Sequence, residues 1–370
     1  MDLTAYTAYL KLMADKGASD LYLSTGAPVM MKVEGHTAPI TQKHLPAGAV
    51  KELAYSIMKD KQRAEFEKSL ELDMAVGLAN IGRFRVNVLW QRGEVSMVIR
   101  HLKTEIPPID TLGLPKILEK LIMEPRGLIL VVGSTGSGKS TTLASMLDYR
   151  NNHTTGHILT IEDPIEYTHT HQKSVVNHRE VGVDTHSYSE ALRRAMREAP
   201  DVIMIGEIRD RETMKQALTY AETGHLCIST LHASNVDQTM RRIVNFFPEH
   251  AHKELFMDLS LHLKAVVAQR LLKGKDGKRC AAVEVMLASP YIKDIINKGE
   301  VEGITEVMEK SQQQGMKTFD QAIMDLYHQG KITEETALAN ADSRHNLEVK
   351  IRLEKGSLAG DSDSLTFDRD

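Results

Sequence analysis

One short run constrains this chain more than any other feature: Gly133, Ser134, Thr135, Gly136, Ser137, Gly138, Lys139 and Ser140 in succession. They fit the pattern G-x-x-x-x-G-K-[S/T], follow the apolar run 127–132, and lead into a helical pattern that opens with Thr141. In a chain of 370 residues such a match arises by accident on the order of once in a hundred sequences, before the strand and the helix are required. Each residue type has a chemical reason. Glycines let backbone N–H groups turn inward as a cradle, and the helix N-terminus adds positive partial charge. Lys139 then reaches the β- and γ-phosphates of a nucleotide, and the Ser140 hydroxyl reaches its Mg2+. The run therefore predicts a strand, a phosphate-binding loop and a helix, with a nucleoside triphosphate as ligand.

The neighbouring sequence supplies a sheet to carry that loop. Runs 127–132, 157–161, 202–205 and 226–229 are too short for helices and apolar on both faces, which predicts buried parallel strands. Helical patterns with start signals lie between them. Ser187 and Glu190 form an S-x-x-E capping box, and Asp210 stands before a helix over 211–222. Strand and helix in alternation predict a doubly wound α/β core. From about residue 253 the pattern reads as mostly helical, interrupted by Lys273, Gly274, Lys275, Asp276, Gly277 and Lys278, a basic turn at a solvated hairpin tip.

The first hundred residues differ. Over 82–91, Phe84, Val86, Val88 and Trp90 alternate with Arg83, Arg85 and Asn87, and after a turn at 92–94 the alternation returns through Val95, Met97 and Ile99 to Arg100. This predicts a hairpin with arginines on its exposed side. Pro107 and Pro108 cannot sit inside a helix or a central strand, so 103–112 reads as a linker. The resulting division is an N-terminal α/β domain over 1–102, a nucleotide-binding domain with C-terminal helices over 113–345, and a disordered acidic tail over 346–370.

Composition removes several classes. Lys and Arg number 46 against 50 Asp and Glu, a net charge of −4, so no global positive field exists for nucleic acid or an anionic membrane. Aromatic residues are 5%, few for base stacking. Cys227 and Cys280 form no CxxC pair, which argues against a disulfide framework or a four-cysteine zinc site and fits a reducing cytosol. Residues 1–10 lack the pattern of an export signal, and no apolar run reaches membrane-spanning length. His169 and His171 have no partner at ligand spacing and read as loop residues.

In an open α/β sheet the ligand sits beyond the carboxyl ends of the strands. Three of the apolar runs deliver polar residues there: Glu162, Asp163 and Glu166 after one, Glu207 after the next, Thr230 and His232 after the third. Acids facing a metal triphosphate can hold Mg2+ or deprotonate the attacking water.

With the phosphate loop, the run 160–167, the run 205–210 and the run 223–232 in this order, the chain resembles the secretion ATPases of type II secretion and type IV pili. There these segments are the Walker A loop, Asp box, Walker B and His box. The resemblance covers about residues 1–340, including Gly17, Ala18, Ser19 and Asp20 near the start. It implies a RecA-like core preceded by a smaller PAS-like α/β domain and followed by helices. By this likeness Glu166 is the general base, Glu207 the acid near Mg2+, His225 and His232 sensors of the γ-phosphate, and Arg126 a neighbour of the nucleotide.

The extra N-terminal region and four-cysteine insertion of the extension and secretion motors are absent, which places the resemblance in the retraction-motor branch of PilT and PilU. The run Tyr291, Ile292, Lys293, Asp294, Ile295 and Ile296 departs from that branch's PilT signature, and with the acidic tail it leans toward PilU. The likeness implies a cytoplasmic homo-hexamer at the pilus base. It would hydrolyse ATP with Mg2+ to power or assist pilus retraction, beside a PilT-type partner and an inner-membrane platform protein. A phosphate-loop ATPase gains roughly 10³–10⁵ in rate from an arginine supplied by a neighbouring subunit. Arg83, Arg85 and Arg100 are candidates, and the resemblance selects Arg85 and Arg100. A nucleic-acid translocase or a non-hydrolysing accessory subunit are the alternatives.

Overall fold

The computed structural model describes residues 3–33, 35–78, 81–102 and 105–360. Two compact units emerge. One comprises the chain through Ile106 together with Glu162–Thr170 and His178–Ala191; the other comprises Pro107–Ile161, His171–Asn177 and the chain from Leu192 onward. The sequence divides the chain once, at the prolines, and gives no sign that the two later segments pack with the first unit. Linker residues 103 and 104 lie outside the described residues.

The first unit starts with helix α1 (Leu3–Asp15) and strands β1 (Asp20–Ser24), β2 (Met30–Val33) and β3 (His36–Pro39). Helices α2 (Ala49–Ile57) and α3 (Asp60–Ser69) precede β4 (Glu71–Leu78), β5 (Gly82–Gln91) and β6 (Glu94–Leu102). The six strands form one antiparallel sheet in the order β3-β2-β1-β6-β5-β4. The period of two sets its faces: Phe84, Val86, Val88, Val95, Met97 and Ile99 are fully buried, packed with Leu10 and Met13 of α1, Leu53 of α2 and Phe66 of α3. Arg92 and Gly93 make the tight β5–β6 turn, with φ of 54° and 79°. A two-residue turn with both φ positive matches the right-handed twist of paired strands, which fixes the register of Gln91 against Glu94.

The second unit opens on α4 (Ile117–Ile122) and strand β7 (Gly127–Val132), then α5 (Lys139–His153) and β8 (Gly156–Glu162). Strand β9 (Ser174–Glu180) and α6 (Tyr188–Ala195), each shared with the first unit, and then β10 (Val202–Ile205), α7 (Arg211–Glu222) and β11 (Leu226–Leu231) follow. The seven-stranded sheet runs β13-β12-β7-β11-β10-β8-β9, with β12 (Leu263–Lys273) and β13 (Arg279–Leu287) as a long antiparallel hairpin. All residues of β7, β10 and β11 are buried, and β12, β7, β11, β10 and β8 are mutually parallel where they pair. Strands covered on both faces need apolar residues at every position, so the four short runs were legible.

The hairpin was not. Residues 263–287 fall where the sequence reads as mostly helical. Helix α8 (Val236–Asn245) precedes that region; helix α9 (His252–His262) is as expected, but it passes into β12 at Leu263 with no Gly or Pro between them. The basic residues 273–278 do form the hairpin tip.

Helices α10 (Pro290–Lys298), α11 (Ile304–Lys310), α12 (Phe319–His328), α13 (Glu334–Asn340) and α14 (Arg344–Gly360) complete the unit. The last of these occupies residues assigned from the sequence to an unstructured tail; Leu347 and Ile351 of α14 are buried and hold it in place. The tail residues 361–370 lie outside the described residues. Among the described residues no helix is long and apolar enough to cross a membrane.

Candidate active site

The phosphate loop joins the carboxyl end of β7 to the N-terminus of α5, as its sequence requires. Gly133 and Gly138 show why no other residue serves. Their φ values are +154° and +92°; a Cβ at Gly133 would stand 2.6 Å from the Gln269 carbonyl oxygen and collide with Ser137 Oγ, and one at Gly138 would stand 2.9 Å from Gln269 Nε2. The loop is thus pressed against Gln269 of β12, whose Oε1 accepts the Thr142 hydroxyl at 2.7 Å. Lys139 Nζ donates to the carbonyl oxygens of Gly133 and Ser134, both at 2.9 Å. Ser137 Oγ is buried without a hydrogen-bond partner. A buried hydroxyl without an acceptor or donor, a lysine resting on its own loop and a fifteen-residue helix pointing its N-terminus at the cradle fit an anionic phosphate chain.

Glu207 follows β10 and His232 follows β11, the two strands that lie side by side next to β7. His232 Nε2 is 3.0 Å from Glu207 Oε2, and Arg209 pairs with Glu207 Oε1. Glu207 is mostly buried while His232 is half exposed. Short links fix the ends of these strands: Gly206 N–H donates to Ile161 O at 2.8 Å, and Ile208 N–H to Thr230 O at 2.9 Å. Asp210 accepts Thr213 N–H at 2.8 Å and caps α7, as its place in the sequence predicts. Among the described residues no group of three or more His, Cys, Asp or Glu is arranged to hold a metal. A hydroxyl such as Ser140 and a carboxylate such as Glu207 are oxygen donors of the kind that could hold Mg2+ whose other ligands are water and phosphate.

Glu166 stands in the first unit, on the segment after β8. Its side chain is exposed between buried Ile165 and Tyr167. The segment is pinned by two acids and a histidine: Glu162 Oε2 accepts Glu166 N–H at 3.4 Å, Glu180 Oε2 accepts Ile165 N–H at 3.3 Å, and His178 Nε2 accepts His169 N–H at 3.1 Å. Burial pushes the Glu180 carboxyl upward, and Arg83, 3.4 Å away, opposes that shift. Arg85 pairs with Asp73 at 3.3 Å and Arg100 with buried Asp20 at 2.9 Å, both within the first unit.

Two residues that the resemblance assigns to the nucleotide lie before their strands and not after them. Arg126 and His225 immediately precede β7 and β11, and Gly127 N–H donates to His225 O at 3.0 Å. The phosphate loop leaves the other end of β7, six residues and about 20 Å away. Within this chain strand polarity sets both residues at the opposite edge of the sheet from the cradle. Sequence reasoning also passed over Arg209 and Gln269. Arg209 was open to detection, since two residues from Glu207 in an extended segment means the same side; Gln269 was hidden in a run read as helix.

The sequence profile of the family described as type II/IV secretion system protein matches residues 4–353. The chain belongs to that family. Among type II/IV secretion system proteins, it is 50% identical over 358 residues to the type IV pilus ATPase PilU of Pseudomonas aeruginosa, covering 96% of this chain and 94% of that protein. It is 42% identical over 346 residues to the type IV pilus retraction ATPase PilT of the same organism, covering 94% and 100%. The crystal structure of the pilus retraction motor PilT with bound ADP matches with a TM-score of 0.87 at 40% identity, covering 94% of this chain and 99% of that one. The expected architecture, a RecA-like core preceded by a smaller α/β unit, is the one these likenesses share.

Proposed function

We propose that this chain hydrolyses ATP to ADP and phosphate as a subunit of a cytoplasmic hexameric ring that powers or assists type IV pilus retraction. The observation that carries this reading is the Lys139 cradle beside the Glu207–His232 pair, three functional groups set by adjacent parallel strands. On binding, Lys139 exchanges Gly133 O and Ser134 O for phosphate oxygens, and the N–H groups of 134–141 hold the phosphates. Mg2+, held by Ser140 and Glu207, would neutralise charge on the phosphates. Glu166 accepts the proton of the attacking water, and His232 reads the γ-phosphate through its contact with Glu207. Arg85 and Arg100 act on the nucleotide of the next subunit. Arg126 and His225 are left out of this set because of their place at the far sheet edge.

The names of the relatives supply only the setting of the type IV pilus and its retraction; a PilT-type ATPase as co-worker and a platform protein of the inner membrane as the load are part of this proposal. Phosphate release by the purified chain with ATP and Mg2+, alone and with a PilT-type partner, tests the reading. Lys139→Ala should release no phosphate above background; turnover equal to the parent chain would reject the site. Turnover that is weak alone and rises with the partner would identify the assisting role.

A further inference from the structure

Just after His232 the chain is fastened at three successive residues by three ionisable side chains from distant parts of the second unit. Ser234 O accepts Arg270 Nη2 of β12 at 3.3 Å. Asn235 Nδ2 donates to Asp342 Oδ2 at 3.0 Å, while its Oδ1 accepts Gln238 N–H at 2.9 Å and caps α8. Val236 N–H donates to Glu284 Oε2 of β13 at 2.7 Å in a buried site. The fasteners are themselves joined. Arg270 Nη2 lies 2.5 Å from Asp342 Oδ1, its Nη1 donates to Asn340 O at 2.8 Å, and its guanidinium covers the Phe319 ring at 4.0 Å. Asp342 N–H in turn donates to Asp320 Oδ1 at 2.7 Å.

Stability of the fold does not by itself call for this concentration of charge on one loop. Helix α8 needs only the Asn235 cap, and α14 is held by Leu347 and Ile351. What the arrangement does is fix the backbone two residues beyond His232, whose imidazole must meet Glu207 at hydrogen-bond distance. We propose that Asp342, in the connection between α13 and α14, is a positioning residue for His232, acting through Asn235 and Arg270. The C-terminal helices thereby set the geometry of the nucleotide site from outside it. Displacing the α13–α14 connection releases Asn235, loosens 232–235 and detaches His232 from Glu207, with Lys139 and its cradle untouched.

This inference rests on the reading of Glu207 and His232 as the γ-phosphate end of an ATPase site, and the test separates the two. Phosphate release and nucleotide affinity are measured in the full chain for Asp342→Asn, for Asn235→Ser, for His232→Gln and for each of the first two combined with His232→Gln. Serine at 235 keeps the helix cap and removes the donor to Asp342, so it serves if the first variant folds poorly. Misplacing a group near the reacting atoms can cost up to about a hundredfold, so turnover should fall about tenfold in Asp342→Asn and Asn235→Ser with affinity for ATP unchanged. In the His232→Gln background the same changes should cost nothing further, since residues acting in one chain of contacts are not additive. An equal loss in both backgrounds, or unchanged turnover in Asn235→Ser alongside a slowed His232→Gln, overturns the link and leaves the site reading intact. Full turnover in His232→Gln overturns both.

Discussion

Glu284 is a carboxyl that burial pushes up to about 7, partly opposed by the Val236 N–H that it accepts and raised further by nearby Asp342. Its folded value lies above that of the unfolded chain, so the sign is that of a group neutral in both states at low pH. As pH rises from about 4.5 to about 7, the unfolded chain gains the free energy of ionisation first, and stability falls. Above 7 the loss is complete, at about 3 kcal/mol for a shift of this size. Glu284→Gln keeps an oxygen for Val236 N–H and cannot ionise. Chemical denaturation at pH 5 and pH 7.5 should therefore show a smaller drop in the variant than in the parent. Equal drops would mean that Glu284 does not titrate in this interval. At the phosphate loop the decisive residue is Gly138, where both a left-handed φ and the Gln269 amide exclude a side chain. Gly138→Ala should lose nucleotide binding while the first unit keeps its fold, measured by nucleotide titration and circular dichroism. Binding at the parent affinity would show that the cradle tolerates a Cβ.

Elements differ in how plainly the sequence announces them, and the difference has a physical cause. Strands β7, β8, β10 and β11 are short and buried on both faces, so their apolar runs cannot be mistaken for amphipathic helices. Strand β12 carries Lys264, Arg270 and Lys273 among alanines and leucines, residues at home in a helix, and it follows α9 without a breaker. Its identity is decided by pairing with β7, a tertiary fact. The sequence singled out Lys139, Glu207 and His232 because residues that follow neighbouring parallel strands gather on one sheet edge, and the His232–Glu207 contact is what the structure adds. Arg126 and His225 were singled out by resemblance alone, and they precede β7 and β11 where the other candidates follow their strands. Asp342 left no local signal, since its partners are 72 and 107 residues away. Start signals fared best, as Asp210 shows. Asp210→Ala should cost about 1 kcal/mol in urea unfolding and Asp210→Asn a fraction of that; a neutral alanine would mean that α7 is held by packing alone.

At the scale of the whole molecule the proposed chemistry draws residues from both compact units. Lys139, Ser140, Glu207 and His232 belong to one, and Glu166, Arg85 and Arg100 belong to the other. Arg100 has its guanidinium on buried Asp20 yet remains more than half exposed, and Arg85 and Arg100 face each other in register on β5 and β6. Asp73 and Asp20 already offset the repulsion between these two cations, and the exposed part of the Arg100 guanidinium is left to face an anion from outside. A nucleotide on a neighbouring copy is the anion that the proposed ring supplies. If the arginines act on that copy and not on their own, their loss and the loss of Lys139 fall on different subunits. Arg100→Ala lacks the cation it offers its neighbour and Lys139→Ala lacks the lysine it needs itself, so each alone should be nearly inactive. Mixed in equal amounts, the two chains place an intact Lys139 beside an intact Arg100 at a share of the interfaces, and phosphate release should exceed the sum of the parents. A mixture no more active than its components, formed under conditions where the subunits exchange, would place the arginines and the cradle in the same chain's service and remove the reason for a ring.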